Sequence, residues 1–176
     1  MKLRLLIGCL LLVLFSNAQS TAGKKKTSGS GKTIPILNFN SLEPLLHTKS
    51  DKIYIVNFWA MWCAPCIKEL PVFQEYEKNN PNVEIVLVSL DFPEDIDTKL
   101  KPFLEKKGIT SKVVLLDDPD ANSWIDKIYP HWSGAIPFTI IFNAKNRSYH
   151  ERAFQDIQDL NNEVNNILKN KEHEKK

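Results

Sequence analysis

The sequence predicts an α/β fold in which a central mixed β-sheet is covered by helices on both faces. Three observations carry that prediction. Buried-strand runs alternate with helix-spaced segments, the strongest run (residues 52–59) leads straight into a helical segment, and the chain closes on a hairpin and an amphipathic helix. The 176 residues suit one domain with appendages, and no internal repeat is visible.

The elements follow in order. Residues 1–18 have the form of an export signal: Lys2 and Arg4 precede an apolar stretch at 5–15, and Ser16-Asn17-Ala18 supplies small residues for cleavage after Ala18. An uncleaved anchor is the alternative, but eleven apolar residues rise only about 16 Å as a helix against a hydrocarbon core of about 30 Å. Cys9 lies inside this stretch and reads as filler rather than a lipid-attachment site, because most of the apolar run follows it. Residues 19–32, rich in Ser, Thr, Gly and Lys, read as a flexible linker, in which Lys24-Lys25-Lys26 is a solubilising run.

The globular pattern spans 33–170, with a charged tail at 171–176. Residues 34–39 suit an edge strand that tolerates Pro35, and Ser41 is expected to cap a short helix carrying Leu42, Leu45 and Leu46. The β-branched and aromatic run at 52–59 predicts a central strand. Helical spacing runs from 63 to 78 with an interruption at Pro71, and 83–90 is a second buried strand. A helix at 96–107 has Gly108 as its stop and Pro102 as a kink or late start, and a short strand at 113–116 follows. Asp117-Asp118-Pro119-Asp120 reads as a turn and cap before a helix at 121–128, not as a catalytic carboxylate pair. A loop at 129–136, strands at 137–142 and 148–153, and a closing helix carrying Ile157, Leu160, Val164, Ile167 and Leu168 complete the domain.

Charge excludes one class of partner. The chain has 23 basic and 21 acidic residues, and loss of Lys2 and Arg4 with the leader leaves 21 of each, so nothing invites nucleic acid. Cleavage also leaves Cys63 and Cys66 as the mature cysteines. Set three apart at a strand-to-helix junction, their sulfurs come within bonding reach as a redox-active disulfide. Cys63, at the helix start, faces free backbone N–H groups and the positive end of the dipole, so it is the expected nucleophile. Cys66, one turn in, is the resolving thiol. Pro65 suits the first turn, and the neutral Ala64 adds no charge that would stabilise a thiolate.

Other uses of the pair fit less well. A structural zinc site needs further ligands at matching spacing, whereas the histidines are scattered at 47, 131, 150 and 173. A purely structural bridge closing so small a loop would contribute little stability. No metal and no cofactor is expected. A copper-handling chaperone stays as the alternative, although such proteins carry a wider cysteine spacing and a partner His, and a binding module whose cysteines are incidental is a third class. A peroxidase is poorer, for lack of a Thr-x-x-Cys setting.

The segment Val56-Asn57-Phe58-Trp59-Ala60-Met61-Trp62-Cys63-Ala64-Pro65-Cys66, with Glu69-Leu70-Pro71 after it, resembles the signature of TlpA/ResA-type thiol-disulfide oxidoreductases, a thioredoxin-like family. Gly134-Ala135-Ile136-Pro137 before an apolar strand matches the family's cis-proline. The resemblance implies a thioredoxin-like fold and exchange with protein thiol and disulfide clients outside the cytoplasm. It implies action as a reductant, with roles in the family that include cytochrome c maturation, fed by a membrane electron donor. A soluble periplasmic monomer is the expected form. It further implies that Ile136 and Pro137 bind substrate backbone beside Cys63, and that Glu69 is an active-site acid. Asn57 stands where thioredoxin has a buried acid, and an amide is no base, which leaves proton transfer to Glu69 or water. Trp59 and Trp62 are expected to rim the pair, with Trp62 contacting substrate. Trp132 and His131 are weaker candidates.

Overall fold

The computed structural model describes residues 33–169. The leader, the linker and the charged tail expected at 1–18, 19–32 and 171–176 lie outside the described residues. Six strands form one sheet in the order β1-β4-β3-β2-β5-β6. These are β1 (Ile36–Leu37), β2 (Ile53–Trp59), β3 (Val83–Ser89), β4 (Lys112–Leu116), β5 (Phe138–Phe142) and β6 (Arg147–His150). The first four run parallel, and β5 and β6 are antiparallel additions at the far edge. The sheet is therefore mixed, as expected.

The central strands are buried on both faces, so they read as continuous apolar runs. On one face Ile55, Trp59, Ile85, Leu87 and Ile141 meet helices α2 (Ala64–Asn79), α3 (Lys101–Lys106) and α5 (Ile157–Lys169). Leu160, Val164 and Ile167 supply the apolar stripe of α5. On the other face Val56, Phe58, Val88, Phe138 and Ile140 meet α1 (Phe39–Leu42) and α4 (Ala121–Ile128). Among the described residues no helix is long and apolar enough to cross a membrane.

Several local expectations are corrected or sharpened. Asn38, not Ser41, caps α1: its extended backbone ends β1, and its Oδ1 accepts the Ser41 N–H at 3.0 Å. Asp118, just past the neighbouring strand β4, closes the same helix end by accepting the Phe39 N–H at 3.0 Å, while Asp120 holds the N-cap position of α4 without a side-chain hydrogen bond. Helix α2 runs through Pro71 without interruption, because the helix is anchored on both sides by Cys66, Glu69, Leu70, Phe73 and Tyr76. The helix expected at 96–107 divides into a π-type turn, Ile96–Leu100, and α3; the division leaves Pro102 in the first turn of α3, where its missing N–H costs nothing.

The strand expected at 148–153 instead ends at His150. The backbone leaves the sheet there because Phe154 turns inward: it is 2% exposed, packs edge-on to Phe73 at 5.8 Å, and donates its N–H to the Glu69 carboxylate at 2.8 Å. The expected stop at Gly108 is observed with φ +65°, a left-handed conformation that glycine adopts without cost.

The α5 stripe gives a direct test of this packing. Leu160→Ala removes a fully buried side chain and should cost about 2 to 5 kcal/mol of stability. Gln158→Ala, on the exposed side, should change stability by less than about 0.5 kcal/mol. Urea unfolding of the oxidised protein measures both.

Candidate active site

Strand β2 delivers the chain to the redox pair. After Trp59 the backbone turns through Ala60-Met61-Trp62, and the Cys63 N–H closes the turn on the Ala60 carbonyl at 3.1 Å. Cys63 is the N-cap of α2, with an extended backbone, and its Sγ accepts the Cys66 N–H at 3.3 Å. One of the unpaired N–H groups of the helix start is thus aimed at the sulfur that the sequence reading takes as nucleophile. Cys63 and Cys66 are joined as a disulfide, with their Cα atoms 5.3 Å apart. Exposure separates their roles: Cys63 retains 6% and Cys66 none. Both are buried, and of the two Cys63 alone keeps any exposed surface.

The Ile136–Pro137 bond is cis, as the family resemblance implies. The Ile136 carbonyl oxygen lies 3.7 Å from Cys63 Sγ, so main chain capable of strand-like pairing borders the reactive sulfur. Trp62 projects outward with 66% of its surface exposed, next to Cys63 in the chain. Trp59 and Trp132 do not join it. Trp59 is fully buried against Phe103, with ring centroids 5.8 Å apart, and belongs to the core. Trp132 stacks on Phe138 at 4.1 Å and donates its indole N–H to the Ala135 carbonyl at 2.8 Å, so it braces the loop ahead of Pro137 from inside. His131 is exposed and packs edge-on against Tyr129.

Glu69 is the residue whose environment the sequence concealed. One turn beyond Cys66, it is fully buried rather than solvated. Its Oε1 accepts from Asn57 Nδ2 at 2.9 Å and its Oε2 from the Phe154 N–H at 2.8 Å. Asn57 Nδ2 also donates to Thr139 Oγ1 at 3.0 Å, while Asn57 Oδ1 has no partner. Burial pushes the Glu69 carboxyl up to about 7, against the opposing pull of the Phe154 and Asn57 donors and of the Arg152 charge. A carboxyl poised there takes up and gives back a proton near neutral pH.

Asp91 and Ser89 were missed. Both oxygens of the buried Asp91 carboxylate accept the Met61 N–H, at 3.0 and 3.2 Å, and Ser89 Oγ donates to Oδ2 at 2.8 Å. Their position at the end of β3, level with Trp59 across the sheet, is a fact of register that a linear reading lacks.

The raised Glu69 pKa has a sign that unfolding experiments can read. Between the ordinary value of 4.5 and about 7 the folded carboxyl holds a proton that the unfolded one has released. Stability associated with Glu69 is therefore present in full below about pH 4.5 and is lost as pH rises through about 7, by roughly 3 kcal/mol in total. Urea unfolding of the oxidised protein across this window should show the decline, and Glu69→Gln should lack it.

Comparison with known proteins accords with this geometry. Residues 41–147 match the model of the AhpC/TSA family. Over 120 residues the chain is 30% identical to the thiol-disulfide oxidoreductase ResA of Geobacillus thermodenitrificans, covering 64% of each protein. Over 93 residues it is 36% identical to the sporulation thiol-disulfide oxidoreductase A of Bacillus subtilis, covering 52% of this chain and 53% of that one. The chain thus spans less than two thirds of the length of either relative. The fold is shared with a thioredoxin-related protein from Neisseria meningitidis serogroup B, at a TM-score of 0.57 and 24% identity over 69% of this chain and 89% of that one. The chain belongs to the AhpC/TSA family, and its fold is thioredoxin-like.

Proposed function

We propose that the protein is a thiol-disulfide oxidoreductase that reduces disulfides of polypeptide clients outside the cytoplasm. The observation that carries this reading is the asymmetric pair itself: a Cys63 that keeps slight exposure, with its sulfur at the helix start, and a fully buried Cys66 one turn behind it. In the reduced protein the Cys63 thiolate attacks one sulfur of the client disulfide, forming a mixed disulfide and releasing the first client thiolate. Cys66, once deprotonated, attacks Cys63 Sγ, releases the second client thiolate and leaves the Cys63–Cys66 disulfide. Two electrons pass to the client, and the two client thiolates take up protons.

Glu69 serves the second step. Asn57 carries no basic group, so the buried carboxyl one turn from Cys66 is the acceptor for its proton. Ile136 and Pro137 supply the main-chain border for the client, and Trp62 an apolar contact beside it. The reducing direction is supported by the absence of any charged group between the cysteines, Ala64 and Pro65 being neutral. Export is supported by the leader-like segment at 1–18, and a reductant working there requires electrons from a membrane donor.

Trapping tests the mechanism. Cys66→Ala should accumulate mixed disulfides with clients through Cys63, and Cys63→Ala should accumulate none; a Cys66→Ala protein that traps nothing removes the exchange reading. A reduction potential near about −270 mV agrees with a reductant, while one near about −120 mV reverses the direction. Glu69→Gln should slow resolution of a preformed mixed disulfide about 10²-fold or more and abolish its pH dependence near 7. Stopped-flow measurement of client release reads both effects.

A further inference from the structure

We propose that Asp91 is a positioning residue of the redox centre, anchoring the Ala60–Met61 peptide that holds Cys63 and placing a negative charge that opposes a Cys63 thiolate. The inference rests on the exchange function proposed for the same site and assigns the residue that sets its reducing poise.

The geometry is a short chain of contacts. The Asp91 carboxylate accepts the Met61 N–H through both oxygens, at 3.0 and 3.2 Å. The carbonyl of that same peptide unit belongs to Ala60, and it accepts the Cys63 N–H at 3.1 Å. A single peptide group, gripped at both ends, therefore separates the carboxylate from the Cys63 amide. Hydrogen bonding to the N–H of a peptide polarises its C=O and strengthens the bond that C=O accepts, so the anchor on Met61 tightens the hold on Cys63. Asp91 is itself immobilised. Ser89 Oγ donates to Oδ2 at 2.8 Å and accepts the Asp91 N–H at 3.1 Å, and the neighbouring Leu90 N–H bonds the Trp59 carbonyl at 2.8 Å.

The hydrogen-bonding groups that reach the carboxylate are donors, which favours its ionised form, while burial pushes its pKa up. Asp95 adds a second negative charge nearby, itself paired with Lys99 at 2.9 Å. The helix start lowers the cost of a thiolate at Cys63, whereas the fixed carboxylate raises it. A less stabilised thiolate means a less stabilised dithiol form, and so a couple that gives up its electrons more readily.

Asp91→Asn separates charge from anchorage, because its Oδ1 can still accept the Met61 N–H. In the reduced variant the pH midpoint of Cys63 alkylation by iodoacetamide should fall. The equilibrium constant with glutathione should shift three- to tenfold toward the dithiol, a potential about 15 to 30 mV less negative. Asp91→Ala should show the same direction and also lose hydrogen-exchange protection at the Cys63 amide, which Asp91→Asn retains. An Asp91→Asn midpoint equal to or above that of the wild type overturns the proposal, even if Asp91→Ala fails to fold. Alkylation needs no client, so it reports on Asp91 even if the wild-type protein reduces and traps nothing, a result that would count against the exchange function alone.

Discussion

A carboxylate buried beneath the first turns of α2 ties the redox pair to the rest of the molecule. Glu69 accepts from Asn57 on β2 and from the Phe154 backbone beyond β6, and Asn57 reaches on to Thr139 on β5. Helix, central strand, antiparallel edge and closing segment meet at this one group. Burying an acid is expensive unless its oxygens are satisfied, and both oxygens of Glu69 are. The same burial that makes the group costly raises its pKa to the range where proton exchange with a neighbouring thiol is useful. Structural cost and chemical utility arise here from one cause.

Around Cys63 two influences oppose each other. The helix start, expressed in the Cys66 N–H on Cys63 Sγ, favours a thiolate and hence attack. In the proposed mechanism the Asp91 carboxylate, fixed by the Met61 and Ser89 donors, limits how far that stabilisation goes. A nucleophile whose thiolate is overstabilised is a poor attacker and a poor reductant, because nucleophilicity falls with pKa. The neutral residues between the cysteines leave this balance to groups outside the motif.

The scaffold explains why the balance is held rigidly. Apolar layers on both sides of the sheet bury β2 and β3 almost completely, so the strand ends from which Trp59 and Ser89 lead to the site have little freedom. At the site the Ile136 carbonyl lies beside Cys63, and the neighbouring Trp62 ring is exposed. Trp132, packed underneath on Phe138, keeps the Ala135 carbonyl in place and so sets where that border runs.

Much of this was legible in the linear chain. The apolar runs located β2, β3 and β5, the i, i+3, i+4 stripe located α5, and the Cys63-Ala64-Pro65-Cys66 spacing located the chemistry, because each depends on neighbours along the chain. Local competition defeated the sequence at Ser41, where Asn38 stands better placed at a strand end, whereas the late start expected from Pro102 is met by α3, which has the proline in its first turn. Contacts between distant segments decided the remainder. Whether Glu69 is a solvated helix charge or a buried acid depends on Phe154, 85 positions away, and Asp91 reaches Met61 across 30 positions. The sequence by itself determined the fold class and the disulfide pair, through periodicity and local spacing. Only the tertiary structure decided which carboxylates surround that pair and how strongly they are buried, because desolvation and hydrogen bonding across the sheet have no signature in linear order.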